Sequence, residues 1–229
     1  MKLFLLIYLL CVIYICVFLE KNKISIYPAN FYSFTLSKDP KMYYLQNILS
    51  HEEADYFIEL GEKYKTESML TRDHDKLIDV SRRNSSTAYL KKGMNDFVEK
   101  IENRISILLN VHYNRIEPIQ IIVYEKDQYF KPHLDAFYNN YVELNQGGNR
   151  TDTILIYLND LDKDDGGKTY FSELYMKFKP NKGDGLYFQN MINGKIDDRL
   201  LHEGEKIITN KKKYAINIWI REKEYWDKN

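Results

Sequence analysis

His133 and Asp135 place an imidazole and a carboxylate two residues apart. On an extended strand such residues point to the same face, so both side chains can converge on one metal ion. A third ligand has to come from elsewhere, and His202, in Leu200-Leu-His-Glu-Gly204, is the best candidate. Two His and one carboxylate on one side of an ion leave positions open on the other, the donor set of non-haem Fe(II) sites. The remaining histidines fit other roles. His51 falls in the first turn of an expected helix, His74 in a polar loop, and His112 just past a second helix.

A His-x-Asp triplet is common, so its meaning depends on the elements around it. The chain has 229 residues, enough for one sizeable domain. Lys plus Arg and Asp plus Glu balance at 33 each, so no global charge directs the chain to nucleic acid. Leu3 to Leu19 is an apolar run without a charge, within the range of a membrane span. No small-x-small cleavage site follows it, so residues 1–20 read as an uncleaved signal-anchor helix that attaches the protein to a membrane. Both cysteines, Cys11 and Cys16, lie in this run, and the rest of the chain can form no disulfide. Residues 21–41 hold Pro28 and Pro40 without clean periodicity and read as a stalk; residues 222–229 read as a C-terminal tail.

Residues 42–221 carry the expected domain. Met42 to Leu49 predicts a short strand. Ser50, with Glu53 three residues on, is a capping box, and Ala54, Phe57, Leu60, Gly61 and Tyr64 give the helix behind it an apolar face. Arg83 to Leu90 half alternates and predicts a strand near a binding face. A second helix is expected over Met94 to Asn110, with Phe97, Ile101, Ile105 and Leu108 on one side. From Pro118 onward the pattern changes to strands at Ile119–Tyr124, Ile154–Leu158, Gly185–Phe188 and Tyr214–Ile220. Two helices followed by many short strands predict a mainly-β, α+β domain: a double-stranded β-helix, or cupin-like jelly roll, on supporting N-terminal helices. Asn84-Ser-Ser86 and Asn149-Arg-Thr151 match the glycosylation pattern, which is frequent by chance.

The stretch from Val123 to Asp135 resembles the iron-binding strand of prolyl 4-hydroxylases of the collagen type and their plant and viral relatives. Gly148 to Asp160 resembles their next signature, and Gly166-Gly-Lys-Thr-Tyr-Phe171 their Gly-Gly-x-Thr-x-Phe segment. Pro180 to Phe188 resembles the Pro-x-x-Gly-x-x-x-x-Phe strand, and Leu201-His-Glu-Gly204 and Trp219 close the pattern. Arg83 to Leu90 is similar to an Arg-x-Ser-x-x-x-Trp-Leu stretch, with Tyr89 in place of Trp; Lys206 stands where the family often has Pro. The resemblance runs from Tyr43 to Arg221.

It implies a 2-oxoglutarate- and Fe(II)-dependent dioxygenase with His133, Asp135 and His202 as metal ligands and catalytic residues. The implied cosubstrates are 2-oxoglutarate and O2, the implied reductant ascorbate, and the co-products succinate and CO2. The implied substrate is proline in a Pro-rich or collagen-like peptide, presented as polyproline II, in the endoplasmic reticulum lumen or secretory pathway. Hydroxylation of another residue, such as lysine, is an alternative within the same chemistry. A non-catalytic binding protein on a degenerate oxygenase fold is an alternative outside it, marked by a lost ligand or a lost 2-oxoglutarate cation; neither is lost here.

The far carboxylate of 2-oxoglutarate needs a buried cation, and the resemblance implies a Lys soon after the distal His. Lys211, Lys212 and Lys213 compete. Family spacing from His202 selects Lys212. Counting back from Trp219 selects Lys213, which shares a strand face with it, and assigns one inserted residue to the turn at Ile207 to Lys211, where insertions are tolerated. Lys213 is therefore the expected partner. Tyr124 and Tyr157 match tyrosines facing the 2-oxoglutarate pocket, and Thr169 is a weaker match. Arg83 and Arg150 match positions near the peptide groove, with Trp219 as a wall of the pocket.

Overall fold

The computed structural model describes residues 27–67, 70–72, 75–77, 81–138 and 141–225. The apolar run Leu3–Leu19 and His74 lie outside them, and among the described residues no helix is long and apolar enough to cross a membrane.

Twelve strands build two facing sheets. They are β1 (Tyr32–Lys38), β2 (Lys41–Gln46), β3 (Thr66–Glu67), β4 (Ser86–Tyr89), β5 (Gln120–Tyr124) and β6 (Phe130–His133). The rest are β7 (Arg150–Tyr157), β8 (Thr169–Phe171), β9 (Met176–Phe178), β10 (Gly185–Gln189), β11 (His202–Gly204) and β12 (Lys213–Arg221). The larger sheet has the order β1-β2-β10-β7-β12-β5-β4-β3, and the smaller one β9-β8-β11-β6. Pairing within both is antiparallel.

The central strands are buried on both faces, which explains their nearly unbroken apolar runs: all of β5 and the last five residues of β7 are buried. One face of the larger sheet meets helices α1 (His51–Tyr64) and α2 (Asp96–Leu109) through Phe57, Ile101, Ile121 and Ile156. The other meets the smaller sheet through Leu155, Tyr157, Phe171, Leu186 and Phe188. The candidate metal ligands His133, Asp135 and His202 belong to this second side, with His202 against Phe171 and Phe188 and Asp135 against Thr153.

Helix α1 starts as its sequence dictates. The Ser50 side chain accepts from the Glu53 amide at 3.2 Å, and the Glu53 carboxylate accepts from the Ser50 amide at 3.0 Å. Arg104 of α2 reaches the same Glu53 with two nitrogens, each at 2.7 Å. This bidentate pair is the stronger kind of charge-assisted contact, and it fixes the two helices as one support for the sheet.

The strand expectations hold, with boundaries moved by a few residues. The stalk does not hold over its second half. Tyr32–Lys38 is the edge strand of the larger sheet, paired along β2 from Tyr32 opposite Gln46 to Lys38 opposite Lys41. Pro28 and Pro40 drew attention to chain breaks, yet Tyr32, Phe34 and Leu36 between them alternate as a strand should. The start of the tail is also tied down: the amides of Glu222, Lys223 and Tyr225 donate to the carbonyls of Asn149, Gly147 and Asn114 at 2.9, 2.8 and 2.7 Å.

Candidate metal centre and cosubstrate pocket

His133 and His202 are directly opposite each other on β6 and β11. Cross-strand pairing, set by backbone hydrogen bonds, thus brings together residues far apart in the sequence. Each ring is oriented from behind. His133 Nδ1 lies 2.9 Å from the Lys131 carbonyl oxygen, and His202 Nδ1 lies 3.0 Å from that of Leu200. A carbonyl can only accept, so each Nδ1 carries the proton and each Nε2 keeps its lone pair for a metal. Aromatic rings hold the imidazoles flat: Phe130 stacks on His133 at 3.5 Å between centroids, and Phe171 on His202 at 5.2 Å.

Asp135 reaches the site differently from the simple strand expectation. β6 ends at His133, so Asp135 lies just beyond the strand rather than two positions along it. Its carboxylate is set by a neighbour in the larger sheet: Thr153 Oγ1 donates to Asp135 Oδ2 at 2.7 Å, and Asn190 Nδ2 donates to Thr153 Oγ1 at 2.9 Å. Asp135 Oδ1 stands 3.9 Å from His133 Nε2. The potential ligand atoms of His133, Asp135 and His202 all lie within 4.8 Å of one another.

The electrostatics suit a cation. Burial, and then the neighbouring His202, push the His133 imidazole pKa well down, which keeps it neutral as a ligand must be. Burial alone would raise the Asp135 carboxyl, but the two imidazoles and Arg150 outweigh it and hold the group below its ordinary value. Two imidazole nitrogens and one carboxylate, with no fourth side chain closing the group among the described residues, fit Fe(II) with open positions.

Beside the cluster, Lys213 opens β12 with only 3% of its surface exposed. Burial lowers its pKa from 10.5 to about 7. Its ammonium lies 5.2 Å from the centre of the Tyr124 ring and 5.7 Å from that of Tyr157, and among the described residues it forms no ion pair. The neighbouring lysines are spoken for at the surface: Lys212 pairs with Glu62 and Glu125 at 3.1 and 3.0 Å, and Lys211 with Asp162 and Asp165. The face count from Trp219 therefore selects the buried lysine. A buried cation without a carboxylate is costly, and this one faces the same cleft as His133, His202 and Thr169. A dicarboxylate reaching from the metal to Lys213 fits that chemistry.

Tyr157 donates to Thr169 Oγ1 at 2.9 Å, so two expected pocket residues are joined. Burial raises the pKa of both Tyr124 and Tyr157, keeping the phenols protonated. Gly204 packs closely on Tyr124: a Cβ there would come 3.1 Å from the phenol oxygen, a tight contact. Gly167 has a φ of +67°, and a Cβ would meet Ile207 at 2.5 Å, beside the Lys213 stem.

Arg150 and Trp219 come together: the guanidinium sits 3.4 Å from the indole centre while binding Glu117 through Nε and Nη2 at 2.7 and 2.8 Å. Arg83 covers Phe130 at 4.7 Å and donates Nε to Ser85 at 2.8 Å; its Nη2 is buried without a hydrogen-bond partner among the described residues, as is Trp219 Nε1. Sequence reasoning missed Thr153, Asn190 and Glu117, which act through other side chains and belong to no metal or charge motif. Of the two glycosylation triplets, Asn149 is 6% exposed, and its amide is committed to both the N–H and C=O of Phe137. A larger cavity, about 370 Å³, lies on the helix side between Tyr43, Leu108 and Tyr187 and contains none of the metal-ligating residues.

Known proteins resemble this chain in sequence and fold. The model of the 2OG-Fe(II) oxygenase superfamily matches residues 119–221. "Probable prolyl 4-hydroxylase 7" of Arabidopsis thaliana is 31% identical over 211 residues, covering 83% of this chain and 65%, just under two thirds, of its own length. Prolyl 4-hydroxylase 1 of the same plant is 30% identical over 205 residues, covering 82% of this chain and 71% of the relative. Among solved structures, the viral collagen prolyl hydroxylase of Paramecium Bursaria Chlorella virus-1, in complex with 2OG, superposes with a TM-score of 0.62 at 24% identity, covering 79% of this chain and 94% of that one. The fold, the His-Asp-His cluster and these sequence matches agree, and the chain belongs to the prolyl 4-hydroxylases of the 2OG-Fe(II) oxygenase superfamily.

Proposed function

We propose that this protein hydroxylates proline in Pro-rich or collagen-like peptides to 4-hydroxyproline, consuming 2-oxoglutarate and O2 and releasing succinate and CO2. The observation that carries the reading is the convergence of His133, Asp135 and His202 beside buried Lys213. When bound, Fe(II) supplies the redox chemistry that couples decarboxylation of 2-oxoglutarate to oxygen insertion into the substrate C–H bond. His133, Asp135 and His202 hold it. Lys213 binds the far carboxylate of 2-oxoglutarate; the protonated hydroxyl of Tyr124 lines the same pocket, and that of Tyr157 holds Thr169 in its wall. The apolar walls around the imidazoles, Phe130, Phe171 and Phe188, exclude water from the reacting centre. Arg83, Arg150 and Trp219 form the peptide side of the site, and ascorbate serves as reductant for cycles that end without substrate oxidation.

The apolar run Leu3–Leu19 supports a membrane anchor over residues 1–20, and the resemblance to collagen-type prolyl 4-hydroxylases supports a catalytic domain in the endoplasmic reticulum lumen. Carbonate extraction checks the anchor: the full chain stays with membranes if the reading holds and enters the supernatant if it does not. For the reaction, the test is succinate release in the presence of Fe(II), 2-oxoglutarate and ascorbate. Release stimulated by a Pro-rich peptide is expected, and release indifferent to every peptide would contradict it.

A further inference from the structure

Tyr89, Gln120 and Asn217 form one row across β4, β5 and β12, Tyr89 opposite Gln120 and Gln120 opposite Asn217. Directly paired residues face the same side of a sheet, here the side that carries Tyr124 and Lys213. The three side chains are joined end to end. Asn217 Nδ2 donates to Gln120 Oε1 at 3.3 Å, and Gln120 Nε2 donates to the Tyr89 hydroxyl. The environments of the two ends differ. Asn217 lines the cleft that holds His133 and His202. Gln120 in the middle is 1% exposed, whereas Tyr89 is 58% exposed as a residue; its hydroxyl end is the sheltered part, where burial raises the phenol pKa and Arg83, Arg150 and Glu117 act on it in turn. A partly exposed ring outside the cleft is thus connected, through a single buried amide, to the cleft wall at Asn217.

We propose that Gln120 is a positioning residue that couples rim to cleft: peptide bound at Tyr89 sets the orientation in which Asn217 meets the reacting centre. This rests on the peptidyl hydroxylase reading above. The row is directional. The Gln120 amide cannot turn over alone, because the reversed amide needs Tyr89 to donate and Asn217 to accept. In the arrangement present, the Tyr89 oxygen accepts from Gln120, and its own proton is free to donate to a peptide carbonyl. A hydroxyl that donates outward becomes a better acceptor inward. Peptide binding at Tyr89 therefore strengthens the bond to Gln120 and fixes Asn217 with its N–H toward Gln120 and its carbonyl oxygen left for the cleft. Without the Tyr89 hydroxyl, a buried Gln120 N–H loses its partner, and the orientation of both amides is released.

The test has two arms. In the first, hydroxyproline and succinate are measured together for wild type, Tyr89→Phe and Gln120→Met with a collagen-like Pro-Pro-Gly repeat peptide. The expected result is a ratio of succinate to hydroxyproline raised roughly 3- to 10-fold in both variants, the size of one hydrogen bond. In the second, the side-chain amide signals of Asn217 are followed by NMR in the Zn(II)-loaded protein with 2-oxoglutarate, identified by their loss in Asn217→Leu. They are expected to move when the peptide is added to wild type, and to differ between wild type and Tyr89→Phe even without peptide. An unchanged product ratio in Tyr89→Phe overturns the coupling, and Asn217 signals identical in wild type and Tyr89→Phe overturn the row itself. A wild-type protein that makes no hydroxyproline from any peptide contradicts the proposed function instead, and the peptide-free comparison still decides the row.

Discussion

Thr153 Oγ1 donates to Asp135 Oδ2 across 2.7 Å, from a strand that carries no metal ligand. The larger sheet thereby sets the one ligand that the smaller sheet cannot, since β6 ends before Asp135. Thr153 itself is fully buried and held by Asn190. Replacing Thr153 with Val keeps the volume and removes the donor. Fe(II) affinity should fall roughly 10- to 100-fold, with unfolding temperature changed much less. Equilibrium binding of Fe(II) or Co(II) to the folded protein measures it; unchanged affinity would show that Asp135 is fixed by its own backbone.

Lys213→Ala should raise the 2-oxoglutarate requirement by a factor of about 100 or more, because a carboxylate would then be buried without its cation, at a cost of about 3–5 kcal/mol. Fe(II) binding should change little. Lys212→Ala should resemble wild type, since Lys212 faces the surface pair Glu62 and Glu125, where such contacts contribute about 0–1 kcal/mol. The KM for 2-oxoglutarate of each variant decides between them, and the reverse pattern would mean the face of β12 has been misassigned.

The pH dependence follows from the same residue. Burial depresses Lys213 from 10.5 to about 7 in the folded chain. Between these values the unfolded state binds the proton and the folded state does not, so stability without 2-oxoglutarate should rise with pH through that window. Below about 7 the penalty for the buried charge is present in full. A bound carboxylate favours the charged form, so 2-oxoglutarate binding should take up a proton in the same window, and its affinity should fall as pH rises. Calorimetry in buffers of different ionisation heat reads the uptake directly. Lys213→Met should abolish it; uptake that persists in the variant would assign it to another group.

Glu117 accepts from Arg150 at 2.7 and 2.8 Å and lies 2.5 Å from Nε of fully buried Arg221. Glu117→Ala removes the bidentate partner of Arg150 and one of two carboxylates beside buried Arg221, which keeps Glu143 at 2.7 Å, and should cost about 3 kcal/mol of stability, the lower end for a broken buried pair. Denaturant unfolding measures the loss. A loss under about 1 kcal/mol, the size expected of an exposed pair, would show that the guanidinium groups find water instead.

Much of this was legible in the sequence, for physical reasons that differ from residue to residue. Ser50 and Glu53 announce a helix start because a capping box is a local bonding pattern. The runs at Ile119–Tyr124 and Tyr214–Ile220 announce central strands because both faces are buried. Lys213 could be separated from Lys212 because a strand alternates faces and Trp219 gives the phase. Tyr32–Lys38 was hidden: an edge strand leaves Tyr32 and Phe34 exposed, and the flanking prolines suggested irregular chain. Thr153, Asn190 and Gln120 were hidden for another reason. Their importance lies in which side chain the fold places opposite them, and no spacing along the chain encodes that.

The chemistry at proline is read out by product analysis. The full-length protein is incubated with Fe(II), 2-oxoglutarate, ascorbate and a panel of Pro-rich and collagen-like peptides, and the products are sequenced by mass spectrometry. Gain of one oxygen on proline is expected, and its loss in His133→Ala, Asp135→Ala and His202→Ala, since two remaining ligands cannot hold an open Fe(II) site. Oxygen found on another residue, or on no peptide at all while the wild-type protein binds Fe(II) and 2-oxoglutarate, would contradict it.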